Sequence, residues 1–243
     1  HVFYTTRKGY VSGAADLADT VKGCFLGQAD DWCTTPSQSI NYASCHDNMT
    51  LLDRITKSTP GASKEDHIRM NNLSAAIYMT AQGIPFLQAG EEMLRAKIDA
   101  SGDFVENSYN SPDSVNSIKW DTLEDETYQN VYHYYKGLIA FRKAHAALRL
   151  TNADDVNANI TSVDGLDDNV LAFRINGGVN GETSDGIFVI FNPNNAATSV
   201  TLPDGAWDVC VDADHAGTEA LTTVSGSVSV EPISAMVLVK KES

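Results

Sequence analysis

The pattern of apolar residues changes near residue 150 of this 243-residue sequence, and that change limits the possible folds most. Before it, long segments repeat apolar residues at helical spacing. After it, the apolar runs are short, rich in β-branched residues and separated by Asn, Gly, Pro and Asp. We therefore expect an α/β part at residues 1–150 and an antiparallel β-sandwich at 151–243. The clearest predicted strands there are 170–175, 186–191, 198–202 and 235–239.

A strand, helix, strand order is predicted within the first part. Residues 39–45 and 84–88 are typical of short buried strands. Between them, a short helix follows Thr50, and Ser63 with Asp66 three positions later has the capping-box arrangement that begins a long helix. This order indicates a βαβ unit and a parallel sheet.

A second long helix is predicted at residues 124–145. Its apolar stripe comprises Val131, Tyr134, Leu138 and Phe141, with Tyr135 and Ile139 widening it. We interpret its tyrosines as packing residues.

Polar side chains follow the first predicted strand where it ends. The run NYASCHDN at residues 41–48 places His46, Asp47 and Asn48 there. Barrels of alternating strands and helices carry their chemistry at this end. The alternative is structural: His46 satisfies a local carbonyl group and Asp47 caps the next helix. The dipeptide alone favours this alternative.

Carboxylates also follow the second predicted strand. Glu91 and Glu92 could orient a sugar, but we expect a Glu–Arg pair with Arg95 that holds the loop. Residues 93–123 then form a long polar segment, and segments of this kind are often functional. Its polar and aromatic side chains suit a hydroxyl-rich ligand or stabilise the loop itself, and both interpretations stay open. These side chains are Asn107, Tyr109, Asp113 and Asn116.

Composition excludes some partners. The 17 basic and 32 acidic residues give a formal charge of −15, which argues against nucleic-acid and anionic-membrane partners. No apolar run is long enough to span a membrane. No serine triad, phosphate-binding glycine loop or metal motif is present. The four cysteines do not form a disulfide framework, although Cys24 and Cys33 could pair.

Several stretches together resemble the type I pullulanases of the α-amylase superfamily of glycoside hydrolases. Residues 41–51 are similar to the family's histidine–aspartate motif at the end of barrel strand seven, and residues 81–95 to strand eight and its exit. Residues 107–116, followed by Trp120, resemble a loop near the substrate. The helix that ends at residue 145 resembles the last barrel helix.

The resemblance implies a fold and an activity. The fold would be the last strands and helices of a TIM (β/α)8 barrel followed by a C-terminal antiparallel β-sandwich. The activity would be the hydrolysis of α-1,6-glucosidic linkages in pullulan, branched dextrins or glycogen, with retention. The sequence opens at His1 without an initiator methionine, so we expect a carboxy-terminal portion of a larger protein. The family's nucleophile and acid/base would lie upstream, and this segment alone is expected to be inactive.

The resemblance also implies residue roles. Asp47 would stabilise the transition state, and His46 would donate to a hydroxyl of the same sugar. The implied substrate-binding residues are Asn48, Arg95, Asn107, Tyr109, Asp113 and Asn116. No metal or other cofactor is predicted, and calcium is suggested by the resemblance alone. The remainder of the parent chain, or self-association, would cover the exposed barrel edges.

Three alternatives remain open. An isoamylase-like enzyme or an α-1,4-acting amylase would keep the superfamily and change the linkage. A non-catalytic glycan-binding relative would keep the pocket and lack the catalytic acids.

Overall fold

The computed structural model describes residues 6–27 and 33–240. The helices are α1 (Ala18–Phe25), α2 (Leu51–Ser58), α3 (Lys64–Thr80), α4 (Asp113–Asn116), α5 (Glu126–Ala144) and α6 (Ala153–Asn159). The strands are β1 (Ile40–Asn41), β2 (Ile84–Pro85), β3 (Ile160–Ser162), β4 (Leu171–Asn176), β5 (Gly186–Asn192), β6 (Thr198–Thr201), β7 (Trp207–Val211), β8 (Thr222–Val224), β9 (Ser227–Val230) and β10 (Ser234–Lys240).

The predicted helix starts are confirmed at atomic detail. The Thr50 hydroxyl accepts a hydrogen bond from the Asp53 amide at the start of α2 (3.2 Å). At α3, Ser63 Oγ accepts from the Asp66 amide (3.0 Å), and the Asp66 carboxylate accepts from the Ser63 amide (3.2 Å). These bonds satisfy amides that have no partner within the helix.

Helix α6 was not predicted, and neither was the short helix α4 within the polar segment. The sequence after residue 152 favours strands, but α6 forms there, and the Asn152 side chain accepts from the Asp155 amide (2.7 Å). Asn followed three positions later by Asp is a helix-start signal, so this helix was detectable.

The first two strands run parallel, as the strand, helix, strand order predicts. Ile40 pairs with Ile84 and Asn41 with Pro85, and α2 and α3 form the connection. The prediction that both strands are buried is wrong, because Ile40 and Ile84 are 58% and 50% exposed. Within the described residues, these two short strands pair only with each other, so no neighbouring strand covers their side chains.

The second part is antiparallel, as predicted. Six strands form one sheet in the order β3-β4-β5-β10-β7-β8, and β6 pairs with β9 in a second sheet. The predicted strands at 170–175, 186–191, 198–202 and 235–239 correspond to β4, β5, β6 and β10 within one residue at each end.

Both faces of the six-stranded sheet are covered. On one face, Phe188 and Ile190 of β5 pack with Val200 of β6 and Val230 of β9. On the other face, the alternate β5 residues join a cluster that contains side chains of α3 and α5. Phe25 of α1 also stacks on Phe173 of β4, with ring centroids 3.9 Å apart.

The apolar core therefore continues across residue 150, where the sequence pattern changes. The division into two domains at residues 1–150 and 151–243 remains a prediction. In the structure, side chains of α1, α3 and α5 pack against one face of the six-stranded sheet.

Two residues of α5 fix its position, Gly137 against the β part and Arg142 against the end of α3. A Cβ atom at Gly137 would lie 1.9 Å from the Ala216 carbonyl oxygen, so only glycine permits this approach. Arg142 donates to the carbonyl oxygens of Met79 (2.9 Å), Ala81 (2.7 Å) and Gly83 (2.7 Å), which completes the end of α3. The predicted apolar stripe of α5 is buried, but Ile139 is 40% exposed and does not widen it.

Candidate functional site

The chain bends sharply between β1 and α2, and the bend carries the predicted polar trio. Asn48 adopts a left-handed backbone conformation (φ 62°), which asparagine tolerates better than most residues. His46 Nε2 and Asp47 Oδ2 lie 3.6 Å apart, and the two side chains are 88% and 71% exposed. The helix cap is Thr50, so the structural alternative for Asp47 is wrong. This arrangement presents an imidazole and a carboxylate together to solvent.

A cavity of about 330 Å³ opens beside this bend. Asp47 and Asn48 line it together with Tyr42, Arg54 and Glu106. The cavity therefore combines a ring with hydrogen-bonding groups of both charges, as a small polar ligand requires. Glu106 immediately precedes Asn107, so the loop at residues 107–116 begins beside the same cavity as the bend.

Two buried charged residues lie behind the bend. Asp53 of α2 is fully buried, and its Oδ2 accepts from the Lys97 backbone amide (2.9 Å) while its Oδ1 has no partner. Burial raises the pKa of Asp53 against the lowering effect of these donors. Burial and the nearby Arg95 lower the pKa of Lys97, whereas the charges of Asp53 and Asp47 raise it. The carboxylates of Asp53 and Asp47 thus stabilise the positive charge of the buried Lys97.

Glu91 is buried and is held by hydroxyl groups. Its Oε2 accepts from Ser44 Oγ (2.7 Å), and its Oε1 accepts from the hydroxyls of Tyr78 (2.7 Å) and Tyr135 (3.3 Å). The neighbouring Glu92 accepts from the Gly90 amide (2.9 Å). The predicted Glu–Arg pair with Arg95 is wrong, because local hydroxyl and amide donors satisfy these carboxylates.

Arg95 instead holds the polar loop. Its guanidinium donates to the carbonyl oxygen of Ala89 (3.2 Å) and to that of Asn116. The Asn116 side-chain amide donates to the carbonyl oxygens of Ser108 (2.6 Å) and Ser111 (3.1 Å). Arg95 and Asn116 were predicted as substrate-binding residues, but these contacts commit much of their donor capacity to the loop.

The other predicted loop residues are open to solvent. Tyr109 is 86% exposed, and Asn107 and Asp113 are also exposed. Among the hydrogen bonds of the described residues, none joins these three to His46, Asp47 or Asn48. The loop and the bend thus approach each other through the cavity and not through direct bonds.

The residues behind the site were not predicted from the sequence. Asp53, Tyr78, Lys97 and Glu106 are far apart along the chain, and no local pattern marks them, whereas Ser44 lies within the run at residues 41–48 but was given no role. Only the fold brings them together, so no motif could identify them from the sequence.

Metal and disulfide chemistry has little support in this region. Among the described residues, no group of three or more His, Cys, Asp or Glu side chains is arranged to hold a metal ion. The Cys33 thiol donates to the carbonyl oxygens of Gly27 (3.2 Å) and Thr35 (3.3 Å) and forms no disulfide. No described helix is both long and apolar enough to cross a membrane.

Comparison with known proteins identifies the relatives of this chain. Residues 156–215 match the family model of the pullulanase all-β domain. A pullulanase from Bacillus subtilis is 34% identical over 181 residues, covering 72% of this chain and 24% of the relative. The structure of a pullulanase from Bacillus acidopullulyticus matches 99% of this chain and 29% of its own, with 37% identity and a TM-score of 0.91.

The chain belongs to the type I pullulanase family. It spans about a quarter of the length of the first curated pullulanase it matches. A second pullulanase structure, from Paenibacillus barengoltzii in complex with maltohexaose and α-cyclodextrin, matches 100% of this chain and 37% of its own, with 37% identity and a TM-score of 0.87. An isoamylase from a Flavobacterium species is 29% identical over 210 residues, covering 69% of this chain and 26% of the relative.

Proposed function

We propose that this chain supplies the transition-state-stabilising part of a starch-debranching glycoside hydrolase that cleaves α-1,6-glucosidic linkages with retention. The observation that carries the proposal is the exposed His46–Asp47 pair beside the cavity, in a chain of the pullulanase family. The proposed substrates are pullulan, branched dextrins and glycogen. The maltohexaose complex of the Paenibacillus relative supports an α-glucan ligand.

The chemistry of the pair suits this role. A retaining glycosidase passes through a transition state with oxocarbenium character, and its nucleophile and acid/base are a separate pair of carboxylates. We assign neither role to Asp47. Its carboxylate would accept hydrogen bonds from sugar hydroxyls, and its negative charge would stabilise the positive charge that develops on the ring. His46 would donate a hydrogen bond to the same sugar.

The loop contributes in two ways. Asn107, Tyr109 and Asp113 are exposed and would contact a neighbouring sugar, as would Asn48 in the cavity. Arg95 and Asn116 would act indirectly, because their hydrogen bonds hold the loop in place.

The proposed frame is a TIM (β/α)8 barrel in which β1 and β2 are the last two strands. Their parallel pairing and the exposed apolar side chains of Ile40, Ile84 and Phe86 support this proposal, because barrel strands are covered on both sides. The remainder of a parent chain, or self-association, would supply the cover. The nucleophile and acid/base would also come from outside this segment, which we propose is inactive alone.

The test is an Asp47→Asn substitution in an active context. This chain replaces the corresponding segment of the Bacillus subtilis pullulanase, and maltotriose release from pullulan is measured. Loss of the negative charge is expected to lower kcat by about 10²-fold or more, because the interaction is made mainly in the transition state. The matched control is Asp204→Asn, an exposed aspartate of the β part. Equal rates for Asp47→Asn and the control would reject the assignment.

The same assay separates the alternatives. Maltotriose as the product indicates an α-1,6-cutting enzyme, whereas an α-1,4-acting amylase gives other products. Because one relative is an isoamylase, branched glycogen is tested as a second substrate beside pullulan. A glycan-binding relative would instead be recognised from its parent chain, which would lack the catalytic acids upstream of this segment, because the host enzyme supplies those acids in the chimera.

A further inference from the structure

The chain between β1 and α2 has little backbone support of its own. The last backbone hydrogen bond of β1 joins the Phe86 amide to the Asn41 carbonyl oxygen (2.9 Å). Among the backbone hydrogen bonds of the described residues, none involves residues 42–49. A segment without such bonds is expected to be mobile unless side chains hold it.

Ser44 is the buried polar side chain that anchors this segment. It is 8% exposed, lies two residues before His46, and donates to Glu91 Oε2 (2.7 Å). Its hydroxyl also lies 3.5 Å from Gln88 Oε1. The anchor therefore joins the end of β1 to the segment that follows β2.

Glu91 is itself held rigidly from behind. The hydroxyls of Tyr78 on α3 and Tyr135 on α5 converge on its Oε1. Asn71 Nδ2 donates to the Tyr135 hydroxyl (3.0 Å) and to the Glu91 carbonyl oxygen (3.4 Å). Two long helices therefore fix the Glu91 carboxylate through Oε1, while Ser44 contacts its other oxygen, Oε2.

A buried carboxylate of this kind is costly. Burial raises the pKa of Glu91, and the hydrogen bonds from Ser44, Tyr78 and Tyr135 oppose that rise. Burying an acid carries a large desolvation penalty that apolar packing would avoid. Its position directly behind an exposed, unsupported bend supplies a reason for keeping it.

We propose that Glu91 is a positioning residue of the glucan site, which holds the His46–Asp47–Asn48 bend through Ser44. The consequence for glucan binding rests on the proposed function, whereas the effect on the bend does not. Glu91 contacts no sugar in this proposal. Because α3 and α5 hold Glu91 in place, its hydrogen bond with Ser44 holds the bend in place.

The test compares Ser44→Ala with Ser58→Ala in the 243-residue chain. Ser58 is also a buried serine, and its hydroxyl donates to the Ile55 carbonyl oxygen within α2 (3.0 Å), so its loss is a matched control. Backbone amide order parameters of residues 45–48 are measured by NMR relaxation. Maltotetraose affinity is measured by titration on the same samples.

Ser44→Ala is expected to lower these order parameters from about 0.85 to below about 0.6. It is also expected to weaken maltotetraose binding by about 5-fold or more, because the binding-competent bend is then populated less. Ser58→Ala is expected to leave both quantities at the wild-type values. Glu91→Ala is expected to reproduce the loss of order, and the Ser44→Ala/Glu91→Ala double variant should lose no more. If Glu91→Ala does not fold, Ser44→Ala alone decides.

The outcomes separate the two proposals. Unchanged order parameters in Ser44→Ala overturn the positioning role, whatever the chain binds. A wild-type chain that shows no maltotetraose binding counts against the proposed function, and the order parameters still decide whether Glu91 holds the bend.

Discussion

At the scale of single residues, the site depends on side chains that hold backbone. Arg95 is the clearest case, because it bonds to carbonyl oxygens on either side of the polar loop and to no described carboxylate. A fork of several donors can reach two carbonyl groups at once, whereas a lysine ammonium is a point charge. The loop that carries Tyr109 is thus held by an arginine that was predicted to bind the substrate.

Arg95→Lys is therefore expected to loosen the loop at residues 107–116. Losing one charge-assisted hydrogen bond should lower the free energy of unfolding by about 1.5–3 kcal/mol. Chymotrypsin should cleave the loop faster, for example at Tyr109. Arg149→Lys is the control, because Arg149 also donates to two carbonyl oxygens, those of Arg142 and Lys143, away from the loop. Equal cleavage in both variants would contradict the role of Arg95.

At the scale of elements, α5 is shaped by what it packs against. Glycine in the middle of a 19-residue helix is normally unfavourable, by about 0.5–1 kcal/mol relative to alanine. Gly137 is kept because the Ala216 carbonyl oxygen leaves no space for a Cβ atom. Gly137 thus lowers the stability of the helix itself, but it permits the close contact between α5 and the β part.

Gly137→Ala is expected to destabilise the protein although alanine favours helices. The clash must be relieved by a shift of α5 or of the turn at Ala216, and overpacking of this kind costs about 1–3 kcal/mol. Gly61→Ala is a suitable control, because a Cβ there meets no atom within 4 Å. Denaturant unfolding of both variants measures the difference, and a more stable Gly137→Ala variant would show that the contact is not as close as described.

At the scale of the whole molecule, Glu182 joins the two parts. It precedes β5, and it accepts hydrogen bonds from His145 Nδ1 (3.1 Å) and the Ala147 amide (3.1 Å), which directly follow α5. Ser184 adds its amide (3.1 Å) and hydroxyl (2.8 Å). Burial would raise the pKa of Glu182, but the hydrogen bonds from Ser184, Ala147 and His145 outweigh it and hold the pKa below its ordinary value.

A lowered pKa fixes the sign of the pH effect. The carboxylate contributes stability above the unfolded-state pKa of about 4.3, and this contribution is lost as the pH falls through the folded-state value. Glu182→Gln should cost about 1.5–3 kcal/mol at pH 7, and the difference from wild type should shrink below about pH 4. Urea unfolding across this range measures it, with the exposed Glu231→Gln as control. A difference that is constant with pH would contradict the assignment.

Local sequence patterns predicted helix starts and strands well, but they predicted poorly which side chains are buried. Ser63 with Asp66 marks a helix start because the cap is made within four residues. The strands β4, β5, β6 and β10 follow from their apolar runs. The exposure of Ile40 and Ile84, and the burial of Asp53 and Lys97, depend on residues far along the chain, which no local pattern records.

The same distinction holds for the candidate site. The polar cluster of His46, Asp47 and Asn48 was predicted directly after a strand at residues 39–45, but the strand ends at Asn41 and the cluster lies in the bend that follows. Of the two tyrosines that hold Glu91, Tyr135 was interpreted as a packing residue and Tyr78 was given no role, since a buried ring and a buried donor look alike in sequence. Polar partners of a buried acid become visible only when the helices are placed in space.

The sheet that is covered on both faces has a consequence for anyone who exchanges parts between relatives. Cutting the gene where the sequence pattern changes would leave Phe173, Ile187 and Phe191 facing water on one fragment, and Leu73 and Leu138 on the other. A transplanted β part must therefore travel with the matching inner surfaces of α1, α3 and α5. The boundary suitable for grafting follows the packing of side chains, and it does not coincide with residue 150, where the sequence pattern changes.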